Sequence, residues 1–528
     1  MKSKLSKIIN LMKNQKYQTA EKKLKSLVKM YPQSFDWNKL LAINFLWQEK
    51  YNSAIVSFNK CYEMNPNDYD VNLNLALMFN RVQDYKSSIE FSTNALNINP
   101  DRPEAYHNIA ESYLYLQKLE KAEEYIIKSI EMRGGLDSDE IFNFKDTLNI
   151  YTDILFSKGD EINLKKVCIQ LLDKQIFLGD IFRKLLRNFK NAISQNHLNT
   201  LNVVLKNIDD HKNLVERNRT KANIYSCLAE YNQKIDKKIS ENYYIESNKL
   251  ISELQRFSLY DRQEYTRSII KYSEDPQINL VAKNIPSNLG DGLIFVIGMP
   301  RSGTSLTESI LASSKYCVAG GEKVFFVNQC RPIIKQHQNG NADFESLLNL
   351  GQRYIDIIDI QRQGKRFFID KFPENYLYYK LIKTSLPLAK FIHVHRDPWD
   401  NAVSLFKQYY IKEITYSSSF FGISLEYANY EHIMKKWKNE KNHNIFDLNY
   451  HDLVTHTEST IDKLWEFCEI PENYDKSRRK DYFAQTASKY QVRKEIYTSS
   501  IKKEDFMEYK EDFLQSLEDQ RSFWSKNQ

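Results

Sequence analysis

Apolar, small and proline residues in the first part of the chain recur with a period of 34 residues. Bulky residues keep this spacing at Tyr17, Tyr51, Tyr85 and Leu119, and again at Phe45, Phe79 and Tyr113. Small residues keep it at Ala20, Ala54, Ser88 and Ala122, and again at Ala42, Ala76 and Ala110. The prolines are Pro32, Pro66 and Pro100. Because small residues let two helices approach and proline stops a helix, each period predicts one helical hairpin.

This pattern resembles the tetratricopeptide repeat, and we predict four repeats at about residues 1–138. Hairpins of this kind stack into a solenoid, in which each repeat contacts its neighbours. A generic helical bundle is the alternative, but it gives no reason for several residue classes to keep one phase. The resemblance implies a surface that recruits a protein or peptide, while a structural arm or a dimerisation element stays open.

Residues 139–285 keep helical spacing of apolar residues but lose the 34-residue phase. We interpret them as degenerate helical repeats followed by a helical linker. Two prolines and one glycine between Asp275 and Asp291 mark a boundary. The predicted domains are therefore residues 1–138, 139–285 and 286–528.

After residue 286, short apolar runs alternate with helical patterns. The predicted strands are Ile294–Ile297, a strand ending at Asp370, Lys390–His395 and residues 445–450. This alternation predicts an α/β domain with a central parallel sheet, whose ligands bind beyond the carboxyl ends of the strands. Gly320 and Gly321 predict a turn that brings Glu322 close to those ends.

The first predicted strand runs into a small polar loop, Gly298 to Gly303, and a helix follows. Such a loop directs backbone N–H groups and a helix N-terminus at an anion. Its glycine spacing is that of a P-loop, but Thr304 occupies the position of the nucleotide-hydrolase lysine. Arg301 is the one cation in the loop. The pattern favours a phosphate ligand whose terminal group is not a γ-phosphoryl.

Further polar residues follow the other strands, and they suggest a second anion site. Lys371 follows one predicted strand, and Arg396 follows another and precedes the helix that carries Ser404. A ligand with phosphates at both its 5′ and 3′ ends would use both sites. His393 and His395 are expected on opposite faces of their strand, as core residues or with one as an alternative base.

Composition narrows the class of protein. The 528 residues carry 75 basic and 68 acidic side chains, a formal charge of +7, which suits a small anionic ligand and does not indicate nucleic-acid binding. Six cysteines without paired spacing predict buried thiols, and no cluster has metal-ligand spacing. The start of the chain is too polar for a signal peptide, and no apolar run is long enough to span a membrane. We expect a cytoplasmic protein.

Five motifs in order resemble sulfotransferases that use 3′-phosphoadenosine 5′-phosphosulfate (PAPS), in particular the tetratricopeptide-linked sulfotransferases of microbes, whose catalytic domain is similar to that of protein-tyrosine sulfotransferases. The motifs are MPRSGTSL, GGE, DKFPENY, HVHRDPWDNAVSLF and TASKYQVR, between about residues 290 and 505. The resemblance implies transfer of a sulfuryl group to a hydroxyl of a protein tyrosine, a glycan or a small alcohol. It implies no metal requirement.

The resemblance also implies residue roles. Glu322 would be the general base, and Lys371 would neutralise charge on the leaving phosphate. The residues of the 5′-phosphosulfate loop would be Arg301, Ser302, Gly303, Thr304 and Ser305. Arg396 and Ser404 would hold the 3′-phosphate. The residues covering the nucleotide would be Tyr450, Ser488, Gln491, Val492, Arg493, Lys494 and Lys503. Tyrosine-specific relatives have an arginine one turn beyond Ser404, where this chain has Gln408.

Several alternatives stay open from the residues alone. Glu322 could cap the following helix, and Lys371 could pair with Glu374. The strand ending at Asp370 resembles that of a magnesium-binding aspartate, which would suit a nucleotide kinase or ATPase, although Thr304 argues against it. A third possibility is a tetratricopeptide scaffold with a vestigial catalytic domain.

Overall fold

The computed structural model describes residues 2–138, 144–173, 179–209, 213–255, 257–362, 364–410, 414–440, 444–481, 496, 501 and 504–526. The chain forms two compact units, Met1–Ile181 and Phe182–Gln528. The domain limits inferred above from the sequence stay predictions.

Helices in hairpins build the first unit. They are α1 (Lys2–Lys13), α2 (Tyr17–Met30), α3 (Phe35–Trp47), α4 (Tyr51–Met64), α5 (Tyr69–Arg81), α6 (Tyr85–Ile98), α7 (Pro103–Tyr115) and α8 (Leu119–Glu131). The bulky series that starts at Tyr17 marks the first residue of every second helix. The phased small residues are completely buried, as at Ala42 and Ala76. The predicted solenoid of helical hairpins is therefore confirmed.

The turns of the hairpins also keep the 34-residue phase. A non-glycine residue with positive φ lies inside each hairpin, at Gln15, Glu49, Gln83 and Gln117. Between hairpins, buried Asn38 donates from its amide to the Pro32 carbonyl at 3.0 Å, and Asn72 donates to the Pro66 carbonyl at 2.7 Å. These amide bonds satisfy carbonyls that the proline turns would otherwise leave unpaired.

In chain order, further helices follow the repeats and precede the sheet: α9 (Lys145–Lys158), α10 (Glu161–Asp173), α11 (Gly179–Phe189), α12 (Gln195–Ile208), α13 (Leu214–Asn232), α14 (Lys237–Leu254), α15 (Leu259–Ser273) and α16 (Pro276–Ala282). Within the second unit, α13 and α14 pack as a pair. Asn248 of α14 donates to the Phe406 carbonyl at 2.8 Å, and Tyr272 of α15 donates to the Asp343 carbonyl at 2.8 Å. Residues 214–273 therefore share the core of the sheet-containing unit.

A parallel five-stranded sheet forms the centre of the second unit. Its strands are β1 (Leu293–Gly298), β2 (Cys317–Gly321), β3 (Phe367–Asp370), β4 (Lys390–His395) and β5 (Ile445–Asn449), in the order β2-β3-β1-β4-β5. The predicted α/β fold is confirmed. The segment before Glu322, predicted as a turn, is an edge strand with an irregular register between Ala319 and Gly321. Its positive-φ glycine, Gly321, ends that strand rather than interrupting a loop.

Helices cover both faces of this sheet. They are α17 (Thr304–Leu311), α18 (Phe325–Gln338), α19 (Leu350–Arg362), α20 (Tyr379–Ser385), α21 (Pro398–Phe406), α22 (Phe420–Lys438), α23 (Tyr450–Thr455), α24 (Thr457–Cys468) and α25 (Lys510–Lys526). On one face, Ile310 of α17 and Leu464 of α24 pack with Val296 and Ile392. On the other face, Met434 and Trp437 of α22 pack with Phe295 and Phe391. The sheet therefore has a core on both faces. Because the described strands are parallel, their carboxyl ends lie at the same end of the sheet.

Candidate functional site

The loop between β1 and α17 has the backbone of an anion-binding turn. Gly298, Arg301 and Gly303 have φ values of 147°, 68° and 115°, and α17 begins directly afterwards at Thr304. The N-terminal N–H groups of a helix carry partial positive charge and have no partner inside the helix. A phosphate or sulfate group is the kind of ligand that such an end binds.

Two glycines of the loop are required by close neighbours as well as by φ. A Cβ on Gly303 would lie 2.3 Å from Cδ2 of Tyr450, and one on Gly298 would lie 2.2 Å from the Val394 carbonyl oxygen. Both distances are far below any normal contact. The Tyr450 ring therefore packs directly on the loop.

The structure brings the two predicted anion sites together. Arg301 donates from Nε to the Ser404 hydroxyl at 3.3 Å, across 103 residues of sequence. Arg396 donates to the Arg301 carbonyl at 3.3 Å, and its guanidinium lies 4.7 Å from the centre of the Tyr450 ring. The Asn401 amide donates to the Pro300 carbonyl at 3.1 Å. The helix that carries Ser404 is thus tied to the loop at several points.

Ser302 gives an independent test of whether the loop suits an anion. Its side chain is 1% exposed, and its hydroxyl has no hydrogen-bond partner among the described residues. A buried hydroxyl without a partner costs free energy unless a ligand supplies an acceptor. Thr304 and Ser305 are also buried at the helix start. This donor set fits a phosphate or phosphosulfate group.

Glu322 and Lys371 meet at the ends of β2 and β3. The Lys371 ammonium pairs with the Glu322 carboxylate; the lysine side chain is 0% exposed and that of the glutamate is 40% exposed. Helix α18 begins at Phe325 with Val324 as its N-cap, so Glu322 is not its capping residue. Glu374 lies within 4.0 Å of Arg262 instead of pairing with Lys371. Both alternative roles suggested by the sequence are therefore unsupported.

Three buried charged residues lie behind this pair, and the sequence analysis did not identify two of them, Glu308 and Lys323. Asp370 is 1% exposed and accepts a hydrogen bond of 2.6 Å from the Tyr354 hydroxyl. Burial raises the pKa of Asp370 and lowers that of Lys323. The attraction between the two groups acts in the opposite direction but is the smaller effect. The Asp370 carboxylate, on which the kinase alternative rested, is committed to partners inside the protein. The available signal for Glu308 was an acidic residue between the apolar positions Leu306 and Ile310 of the helix that follows the loop.

His393 and His395 lie on the same face of β4, and the expectation of opposite faces was wrong. Side chains alternate along a strand, so residues two positions apart share a face. Their ring centres are 5.6 Å apart. Buried His393 bonds to Asp447 at 2.7 Å through Nδ1 and to the Tyr430 hydroxyl through Nε2, and burial lowers its pKa to about 4. These contacts make His393 a core residue, as the sequence favoured.

The two histidines line a cavity of about 700 Å³ on the α22 face of β4 and β5. Its lining includes His393, His395, Arg396, Tyr427, Tyr430 and Lys435. The α17 helix, which follows the phosphate loop, packs on the opposite face of the sheet. The sequence alone gave no indication of this cavity.

Six residues predicted to cover the nucleotide lie outside the described residues: Ser488, Gln491, Val492, Arg493, Lys494 and Lys503. All six cysteines are buried. Within the described ranges, no group of three or more His, Cys, Asp and Glu side chains is arranged to hold a metal ion. Among the helices of those ranges, none has both the length and the apolar character needed to cross a bilayer.

Comparison with known proteins identifies both parts of the chain. Residues 294–475 match the model of the sulfotransferase family, and residues 103–134 match that of the tetratricopeptide repeat. An uncharacterized protein of Aquifex aeolicus (strain VF5) is 32% identical over 285 residues, which cover 49% of this chain and 36% of that protein. The chain therefore spans about a third of the length of this curated relative.

Three solved structures show weaker likeness. MamA 41-end from Desulfovibrio magneticus RS-1 is 14% identical, covering 37% of this chain and 97% of its own, with a TM-score of 0.28. Pseudomonas aeruginosa pilF is 13% identical, covering 40% of this chain and 92% of its own, with a TM-score of 0.32. Sulfotransferase STF1 from Mycobacterium tuberculosis H37Rv is 13% identical, covering 55% of this chain and 93% of its own, with a TM-score of 0.24.

The family matches agree with the order of motifs and with the architecture of each unit. The repeat match falls on α7 and α8, and the sulfotransferase match runs from β1 to the residues after α24. The predicted resemblance is confirmed: residues 103–134 match the tetratricopeptide repeat, and residues 294–475 match the sulfotransferase family.

Proposed function

We propose that the protein is a sulfotransferase that moves the sulfuryl group of PAPS to an acceptor hydroxyl. The observation that carries the proposal is the contact of Arg301 with Ser404 beside Arg396, which joins a 5′-phosphate loop to a second cationic site. A nucleotide with phosphates on both its 5′ and 3′ positions matches two adjacent anion sites. The lysine of nucleotide hydrolases is replaced by Thr304, which also favours this class of ligand.

The residues of the loop would bind the 5′ end of the nucleotide. Arg301, Ser302, Gly303, Thr304 and Ser305 offer a guanidinium, hydroxyls and backbone N–H groups at a helix N-terminus. Arg396 and Ser404 would bind the 3′-phosphate, with the Tyr450 ring against the loop. When bound, PAPS supplies a sulfuryl group attached to a phosphate leaving group.

Glu322 would act on the acceptor hydroxyl, and Lys371 would act on the leaving phosphate. The Glu322 carboxylate takes the proton of the acceptor hydroxyl, whose oxygen forms the new bond to sulfur. The bond from sulfur to the phosphate oxygen breaks, and its electron pair stays on that oxygen. The buried Lys371 ammonium stabilises the negative charge that develops there. The ion pair between these two residues orients both side chains.

The acceptor is proposed only as a class: a hydroxyl of a protein tyrosine, a glycan or a small alcohol. The repeats would recruit that acceptor or a partner protein, since stacked hairpins present an extended surface.

A thermal-shift comparison tests the nucleotide assignment. The ligands are 3′-phosphoadenosine 5′-phosphate and ATP, each with and without magnesium, on the wild type, Arg396→Ala and the control Arg366→Ala. A ligand at about a hundred times its Kd adds roughly 2.7 kcal/mol, which raises the Tm by a few degrees. We expect metal-independent stabilisation by the bisphosphate that Arg396→Ala loses and Arg366→Ala keeps. Stabilisation by magnesium ATP alone would overturn the proposal in favour of a kinase or ATPase.

A further inference from the structure

The backbone on both sides of Glu322 is held by buried carboxylates. The Gly321 N–H donates to Oε1 of Glu308 at 2.8 Å, and the Lys323 N–H donates to the Asp370 carboxylate. The Gly321 carbonyl accepts from the Lys371 N–H at 2.9 Å. The two peptide groups that flank Glu322 are thus fixed from two directions.

Glu308 links this turn to the phosphate loop. It lies in the second turn of α17, whose first residue is Thr304, and its side chain is 0% exposed. A carboxylate in a helix interior is rarely fully buried, because removing its charge from water is costly unless donors replace the water. Its bond to the Gly321 N–H supplies such a donor and connects the loop helix to the edge strand β2.

Asp370 links the same turn to Lys371. It is the residue directly before the lysine, and the Tyr354 hydroxyl holds its second oxygen at 2.6 Å. Lys323, whose side chain is 7% exposed, is attracted to both Asp370 and Glu308 and offsets part of their charge. An inner set of charges, Glu308, Lys323 and Asp370, therefore lies behind the outer pair of Glu322 and Lys371.

From this geometry we propose that Glu308 and Asp370 are positioning residues, which set Glu322 at a fixed place relative to the phosphate loop and Lys371. The inference rests on the proposed function for the role of Glu322 as base. Hydrogen bonds to charged acceptors are shorter and stronger than neutral ones, so carboxylates suit this task. Proton transfer requires the base to stay within a fraction of an ångström of its productive position. A base whose backbone is not held in place therefore lowers turnover.

Three substitutions of Glu308 separate the effect of side-chain length from the effect of charge. Glu308→Gln keeps an acceptor oxygen at the same distance and removes the charge. Glu308→Asp keeps the charge and shortens the side chain by one methylene. Glu308→Leu removes both. Two measurements are made: the hydrogen-exchange rates of the Gly321 and Lys323 amides, and the release of 3′-phosphoadenosine 5′-phosphate from PAPS with a simple phenol as acceptor.

We expect Glu308→Gln to hold turnover within about threefold of the wild type, and Glu308→Asp and Glu308→Leu to lower it by about tenfold or more. The Gly321 amide should exchange about tenfold faster in these last two, with the thermal shift by the bisphosphate unchanged in all three. Equal turnover in the Gln and Asp variants, or slower turnover in Gln than in Asp, would overturn the proposal. If Glu308→Leu does not fold, the comparison of Gln with Asp decides alone.

The exchange measurement separates this proposal from the proposed function. An unprotected Gly321 amide in the wild type overturns the positioning role whatever the reaction is. A protected amide that responds to Glu308→Asp, in a protein that neither binds the bisphosphate nor uses PAPS, would instead overturn the sulfotransferase assignment and the role of Glu322 as base.

Discussion

Lys371 and Glu322 form an ion pair in which the lysine is completely buried and the glutamate side chain is 40% exposed. The two residues are 49 positions apart and lie at the ends of the neighbouring strands β3 and β2. A buried ammonium requires a compensating charge. The pair therefore directs an accessible carboxylate outward and keeps a cation directly behind it.

Replacing Glu322 by Gln should lower turnover of PAPS by about a hundredfold or more, because the amide cannot accept the acceptor's proton. Nucleotide binding should stay intact, since the proposed phosphate contacts come from other residues. Steady-state kinetics with a phenol acceptor, beside a thermal shift with the bisphosphate, measures both effects. Turnover equal to that of the wild type would refute the role as base.

Replacing Lys371 by Met should lower turnover by about a hundredfold, since charge on the leaving phosphate loses its stabilising cation. Steady-state kinetics with PAPS and a phenol acceptor measures this loss. Lys365→Met, on a half-buried lysine that bonds a backbone carbonyl, is the control. Turnover equal to that of the wild type would contradict the role of the cation.

Replacing Gly303 by Ala should weaken nucleotide binding by about tenfold or more. The new Cβ would meet the Tyr450 ring at 2.3 Å, and φ of 115° is unfavourable for alanine, so the loop or the ring must move. Gly340→Ala is the matched control, because Gly340 also has a positive φ, of 77°, but nothing lies within 4 Å. Titration with the bisphosphate should separate the two variants; equal Kd values would show that the Tyr450 contact is not needed.

Replacing Arg262 by Met should destabilise the second unit by about 3–5 kcal/mol. Arg262 pairs with Glu426 at 2.5 Å, and the side chain of Glu426 is 1% exposed, so the variant would leave a buried carboxylate without its cation. Arg521→Met is the control: its pair with Glu431 is partly exposed and should be worth about 1 kcal/mol or less. Chemical denaturation measures both, and similar losses would contradict the burial argument.

Protonation of His393 should make the second unit less stable in mild acid. Burial lowers the pKa of His393 to about 4 from 6.5, so between these values the unfolded chain binds a proton that the folded one does not. The free energy of unfolding should therefore fall by about 3 kcal/mol as the pH drops from 6.5 to 4. His393→Gln should reduce this slope, whereas His456→Gln, on an exposed residue, should keep it. Denaturation at several pH values measures the slope, and an unchanged slope in His393→Gln would contradict the assignment.

Local patterns predicted much of the fold. The starts of α2, α4, α6 and α8 follow from the 34-residue phase. Small residues allow close packing of the helix that contains them, and a proline ends the helix that precedes it, so both effects are local. Strand β2 was missed because it is short and contains two adjacent glycines, which also suit a turn. The packing of α14 and α15 against the sheet unit was not predicted either, since contacts such as Arg262 with Glu426 join residues 164 positions apart.

By itself, the sequence determined the repeat phase, the alternation of strands and helices, and the glycine loop without a lysine, because each depends on residues close together in the chain. Only the tertiary structure decided which polar groups meet: Arg301 with Ser404, Glu322 with Lys371, and Glu308 with the Gly321 amide. Burial and charge pairing depend on chain segments that fold together from distant positions, and a linear pattern does not encode their distances.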